Sequence, residues 1–229
     1  MHESEPVLGG APLIDAGNAA APYALVLLHG RGGTAEGMLP IARAAGATDA
    51  AWIAPRADGN SWYPLRFLVP IEQNEPALAS ALIAVDRAVA MAVDAGIPSE
   101  RVLLIGFSQG ACLALEYATH TARRVAGVAA LAGALMGDEQ EQATRFSEPA
   151  RGGISLQGTP VLLASGDADD HIPVHRVRDA AETLAALGAA VDLRIYEGVT
   201  HQIVADEIGA LRSIVSTMRS TRSAVVGRE

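Results

Sequence analysis

The stretch RVLLIGFSQGACLALEYA, residues 101–118, sets Ser108 midway between Gly106 and Gly110. Val102 to Ile105 is an apolar run of strand character, and the Ala- and Leu-rich segment that follows reads as a helix. A serine at the apex of such a sharp strand-to-helix turn takes a strained backbone conformation that lifts its hydroxyl clear of the sheet. Its neighbours two positions away must be small, because a Cβ atom there would strike the adjoining strand or helix. This G-x-S-x-G spacing is the signature of a nucleophile elbow. A serine hydroxyl is a poor nucleophile until a base takes its proton, and the base needs an acid to orient it. With this elbow the partners follow in the order Ser, Asp or Glu, His. Three aspartates, Asp167, Asp169 and Asp170, follow an apolar run that ends at Ser165, and His201 follows another that ends at Tyr196. Spacing alone does not choose among the three acids.

His201 is the best base among six histidines. His2 lies in a terminus, and His120 and His175 fall on helical patterns. His29 closes the first apolar run and is expected to form structural hydrogen bonds. His171 borders the acidic turn but precedes the last apolar run, so its use would break the order. The oxyanion of an acyl-transfer step needs two N–H donors. One is the N–H of Gln109, at the positive end of the helix that starts there.

These residues need a scaffold that gathers them. Apolar runs at residues 23–28, 51–54, 102–106, 125–131, 160–165 and 191–196 are nearly continuous rather than alternating, which marks a parallel sheet covered on both faces. Helical patterns lie between or beyond them at residues 35–45, 77–95, 109–123, 175–187 and 203–218. The fold class is therefore α/β, a mostly parallel doubly wound sheet with helices on both faces. Ligands in such sheets bind beyond the carboxyl ends of the strands, where all the polar candidates fall. Residues 1–20 are expected to be loosely ordered, 21–218 to form one domain, and 219–229 to be a flexible tail.

Composition narrows the field further. A net charge of -9 argues against nucleic acid or an anionic membrane surface as partner. All 17 basic residues are arginine, which removes Schiff-base and lysine general-base chemistry. Cys112 is the only cysteine, so neither an intramolecular disulfide nor a thiolate metal cluster can form. The N-terminus carries Glu3 and Glu5 and lacks a signal-peptide pattern. The apolar stretch 125–136 is short for a bilayer span, which needs about 20 residues. No stable membrane insertion and a cytoplasmic location are expected.

The segments HGRGG (29–33), GFSQGA (106–111), SGDADDHIP (165–173) and YEGVTHQ (196–202) together resemble the phospholipase/carboxylesterase family of α/β hydrolases, which includes the acyl-protein thioesterases. The likeness runs from about residue 23 to 214. It implies an α/β-hydrolase fold and selects Asp169 as the acid, through a G-x-x-D-x-x-[VI]-P pattern read as Gly166, Asp169, Ile172 and Pro173. It also implies that Arg31 supplies the second oxyanion N–H, and it makes a homodimer plausible. The segment 55–67 resembles the family's loop before its long helix, and Trp62, Tyr63 and Phe67 there are candidates for the substrate-pocket wall. The chain departs from the thioesterase branch, which reads His-Gly-Leu-Gly-Asp where this sequence has Arg31 and Gly33. The Arg31 side chain is expected to attract an anionic substrate group, to pair with an acid or to be solvated. Residues 136–159 leave no room for a large cap domain and read as a loop or small lid. Cys112, one turn past Ser108, reads as inert core.

The expected function is that of a serine carboxylesterase acting on small-molecule esters through an acyl-enzyme, with no metal or cofactor and with activity that rises as His201 loses its proton. Acyl-thioester or lysophospholipid hydrolysis by the same triad is the alternative. A non-catalytic ligand-binding protein on a hydrolase fold is the remote one.

Overall fold

Successive residues of a strand face opposite sides of a sheet, so a strand that is apolar at every position needs cover on both. The computed structural model describes residues 13–15, 21–121, 123–147 and 155–226. Among the described residues, seven strands form one sheet: β1 (Leu13–Asp15), β2 (Ala24–Leu28), β3 (Ala51–Ala54), β4 (Val102–Phe107), β5 (Gly127–Leu131), β6 (Pro160–Gly166) and β7 (Ala190–Tyr196). Their order is β1-β3-β2-β4-β5-β6-β7; only β1 is antiparallel to its neighbour. In β4, Val102 and Leu104 point into one apolar layer, with residues of helices α2 (Ala77–Asp94), α3 (Gln109–His120) and α5 (Val174–Ala186). Leu103 and Ile105 point into the other, with residues of α1 (Ala35–Ala44) and α6 (Ala205–Val226). This is the α/β-hydrolase architecture.

The outcome differs from expectation at three places. Leu13–Asp15 pairs antiparallel with β3 as a short edge strand inside the segment expected to be loosely ordered; the rest of residues 1–20 lies outside the described residues. Three residues are too few to show an alternating pattern. Helix α6 continues to Val226, eight residues beyond its expected end, so the segment expected to be a flexible tail is helical as far as that residue. The segment expected to be a loop or small lid contains a helix, α4 (Glu139–Arg145), whose sequence is too polar for a helical period. Its start was nonetheless encoded: Asp138 caps it by accepting the N–H of Glu141 at 2.8 Å. No large cap domain is present among the described residues, and no helix there is long and apolar enough to cross a membrane.

The chain runs from β2 outward to β3, then returns through α2 to β4 on the other side of β2. The order of strands therefore reverses between β2 and β4, and a crevice opens beyond their carboxyl ends. β4 delivers Ser108 to that crevice. Ser108 holds φ 54° and ψ -119°, a conformation that non-glycine residues adopt only where the surroundings enforce it. A Cβ on Gly106 would lie 2.2 Å from the Gly110 carbonyl oxygen, and one on Gly110 would lie 2.2 Å from that of Leu28. Both glycines are thus required by backbone contact, within the turn and against β2.

Helix α6 leads away from the loop that bears His201. Its first turn is closed by Glu207, whose carboxylate accepts the N–H of Val204 at 2.7 Å, the reach-back half of a capping box. Glu207 is 1 % exposed, and burial pushes its carboxyl up from 4.5 to about 7.

Two predictions follow from this packing. Gly106→Ala and Gly110→Ala each lower the unfolding free energy by about 3 kcal/mol or more, at the upper end for single substitutions. Gly209→Ala, where a Cβ meets nothing within 4 Å, raises it by about 0.5–1 kcal/mol; urea titration measures all three. For Glu207, the folded chain keeps a proton that the unfolded chain has released between pH 4.5 and about 7. Native-state proton excess makes stability fall as pH rises through that window. Glu207→Gln removes this component of the fall, as unfolding midpoints at pH 4.5 and 8 will reveal.

Candidate active site

Three side chains from three separate loops meet above the crevice. His201 Nε2 lies 2.8 Å from Ser108 Oγ, and its Nδ1 lies 2.7 Å from Asp169 Oδ2. A carboxylate only accepts, so Nδ1 carries the hydrogen and the neutral ring presents Nε2 as an acceptor to the serine hydroxyl. The other oxygen of Asp169 accepts the N–H groups of His171 and Ile172 at 2.8 and 2.9 Å. With both oxygens engaged and only 7 % of the residue exposed, the carboxylate has one orientation. The ring of His201 is also flanked by Phe107 and His171, with centroids 5.0 and 4.7 Å away.

The neighbouring aspartates are placed differently. Asp167 Oδ1 accepts the N–H of Gly198 at 2.7 Å and sews the acid loop to the histidine loop. Those loops approach so closely that a Cβ on Gly166 would sit 1.8 Å from the Val199 carbonyl oxygen. Asp170 points outward, with 85 % of its side chain exposed. His171 is likewise exposed and lies 3.6 Å from Asp170 rather than from the serine. His29 is buried: its Nδ1–H donates to the Gly30 carbonyl at 2.8 Å, and its Nε2 accepts from Ala57 N–H at 3.3 Å. Burial lowers its pKa, which keeps the ring neutral and able to play both parts.

The two residues expected to supply oxyanion N–H groups, Gln109 and Arg31, line the same cavity as Ser108. Gln109 is the first residue of α3, where an N–H has no intrahelical acceptor. Arg31 stands beyond the carboxyl end of β2, while the N–H groups after it are engaged: Gly32 donates to Asn60 O at 2.7 Å and Gly33 to Gly30 O at 2.9 Å. The side chains of both residues brace the segment 61–65, a role the sequence did not disclose. Gln109 accepts from Trp62 N–H at 3.0 Å and donates to Tyr63 O at 2.7 Å. Arg31 donates to Ser61 Oγ, Pro64 O and Leu65 O at 2.9, 2.9 and 2.7 Å.

Ser108, Gln109, His201 and Arg31 line a cavity of about 240 Å³. Of the three proposed wall residues, Tyr63 and Phe67 line it and Trp62 does not. The Trp62 indole instead donates to His29 O at 2.8 Å and packs on the His29 ring, and it borders a separate cavity on the α2 side. Alternation along an irregular segment could not be read from sequence, so Trp62 and Tyr63 were not separable there. Leu65, Arg66, His171 and Ile172 complete the wall. Cys112 also touches the cavity, but burial pushes its thiol up to about 11, so the thiolate is scarce at neutral pH.

Comparison with known proteins bears on the family and the fold. Residues 10–219 match the sequence profile of the phospholipase/carboxylesterase family. A crystal structure of a phospholipase/carboxylesterase from Dyadobacter fermentans superposes with a TM-score of 0.82 at 37 % identity, covering 93 % of this chain and 100 % of that one. Esterase PE8 superposes at 0.74 with 25 % identity, over 92 % of this chain and 99 % of that one. Acyl-protein thioesterase 1 of Cryptococcus neoformans is 32 % identical over 124 residues, 47 % of this chain and 52 % of its own. The chain spans about half the length of the curated relatives it matches. With the profile matched across nearly the whole chain, the protein belongs to the phospholipase/carboxylesterase family.

Proposed function

We propose that the protein is a serine esterase that hydrolyses carboxylic esters through an acyl-enzyme. The observation that carries this reading is the hydrogen-bonded chain Ser108–His201–Asp169, at 2.8 and 2.7 Å, on a strained elbow at the cavity floor. His201 Nε2 takes the hydroxyl proton as Ser108 Oγ attacks the ester carbonyl, and the carbonyl π electrons move onto oxygen. The N–H groups of Arg31 and Gln109 hold that oxyanion, each donor contributing about 3–4 kcal/mol in the transition state. Collapse expels the alcohol, which receives the proton from His201. Water then repeats the sequence on the acyl-serine and releases the acid. Asp169 keeps Nδ1 protonated and steadies the imidazolium. The protein's own groups supply every proton transfer.

Thioester hydrolysis is the second reading, favoured by the acyl-protein thioesterases among the relatives. The same residues would carry it, and paired oxygen-ester and thioester substrates of one acyl group separate the two. A cavity of about 240 Å³ lies below the range of about 300–1,000 Å³ that encloses drug-sized ligands. It suits short acyl groups better than long lipid chains.

With a p-nitrophenyl ester series, Ser108→Ala is expected to reduce kcat by about a million-fold, and a fluorophosphonate probe labels the wild type at Ser108 only. Full turnover by the variant would falsify the assignment. Asp169→Asn is expected to reduce kcat by about ten-thousand-fold as the tautomer is lost. Asp167→Asn and Asp170→Asn cost far less, because neither carboxylate faces His201; the reverse ranking in steady-state rates would move the acid elsewhere.

A further inference from the structure

We propose that the esters this site prefers carry a carboxylate, bound at the cavity mouth by the guanidinium groups of Arg66 and Arg31; the inference rests on the esterase reading above. Both arginines are exposed and both line the cavity that holds Ser108. Every hydrogen bond they make goes to an uncharged oxygen. Arg31 reaches Ser61 Oγ and the carbonyls of Pro64 and Leu65, and Arg66 reaches the His171 carbonyl at 2.8 Å. Among the described residues, no carboxylate lies within 4.0 Å of either group.

Arg101, Arg124, Arg176 and Arg212 are also bonded to carbonyl oxygens rather than to carboxylates, but only Arg31 and Arg66 among the described arginines line the cavity that holds Ser108. Arg56, Arg123, Arg145, Arg194 and Arg219 all pair with carboxylates. The two cations at the cavity are held by neutral oxygens, and no carboxylate among the described residues pairs with either. Five N–H donors on a guanidinium leave Arg66 four and Arg31 two beyond those bonds. A planar carboxylate matches the guanidinium fork, and a positive mouth on a molecule of net charge -9 draws a small anion toward it. Ser108 and both arginines line one cavity of about 240 Å³, so the carboxylate and the ester belong to one small molecule.

The test compares kcat/KM for charged and neutral isosteres. For the acyl side these are p-nitrophenyl hydrogen succinate and p-nitrophenyl 4-methylpentanoate; for the alcohol side they are 4-acetoxybenzoate and 4-isopropylphenyl acetate. Rates with Ser108→Ala serve as the blank. The charged member of at least one pair is expected to lead by about tenfold at low ionic strength, as charge-assisted hydrogen bonds permit. The lead shrinks in 0.5 M salt, and Arg66→Gln abolishes most of it through KM, while Arg66→Lys retains part. No lead in either pair, or a lead that Arg66→Gln leaves intact, overturns the proposal. Should Arg66→Gln fail to fold, a lead in the wild type that is insensitive to salt overturns it too. Turnover of the neutral esters without any charge preference defeats this inference alone, whereas no turnover of any ester and an unlabelled Ser108 defeat the esterase reading with it.

Discussion

Three backbone segments come within contact distance at the elbow, and no side chain fits between them. The Leu28 carbonyl abuts Gly110 at the start of α3, and the Gly110 carbonyl abuts Gly106 at the end of β4. The turn at Ser108 has no room to relax toward an ordinary conformation, so its φ of 54° is held by packing rather than by local preference. The same contact brings the β2 loop, with Arg31, beside the first turn of α3, with Gln109. Arg31, Gln109 and Ser108 are thus neighbours because β2, β4 and α3 cannot be moved apart without opening a void in a buried core.

The rest of the site is made of loops, which are ordinarily the mobile parts of a fold. Here they are cross-tied by side chains that bond to backbone groups. His29 ties the β2 end to Ala57, Gln109 ties α3 to residues 61–63, Arg66 ties the same segment to the acid loop, and Asp167 ties the acid loop to Gly198. Each such bond contributes about 0.5–1.5 kcal/mol net, more where one partner is charged. Their joint effect is geometric. They convert four loops into one frame on which His201 keeps its distances to Asp169 and to Ser108 below 3 Å.

Legibility from sequence followed the range of the interactions. The G-x-S-x-G turn was readable because its constraint is local: both glycines lie two residues from the serine they accommodate. Five of the six parallel strands were readable because continuous apolar runs have few alternatives in a chain of this kind; β7, expected to be another such run, instead alternates through Asp192 and Arg194 and is exposed along much of its length, because it is the edge of the sheet. β1 and α4 left no such trace, one for brevity and the other for polarity. Among Asp167, Asp169 and Asp170 the spacing was silent, and the distinction came from resemblance. In space it is plain, since only Asp169 turns one oxygen to its own loop and the other to His201.

The sequence by itself determined the α/β class, the order of the elements, the elbow and the short list of acids and bases. Periodicity and turn sterics are written in neighbouring residues. Only the tertiary structure decided that Trp62 packs on His29 while Tyr63 faces the cavity, and that Arg31 and Arg66 are held by carbonyls without a carboxylate partner. Those outcomes depend on contacts between residues 30 to more than 100 positions apart. The direction of a side chain in an irregular segment is set by what it meets across the fold, and no local pattern carries that information.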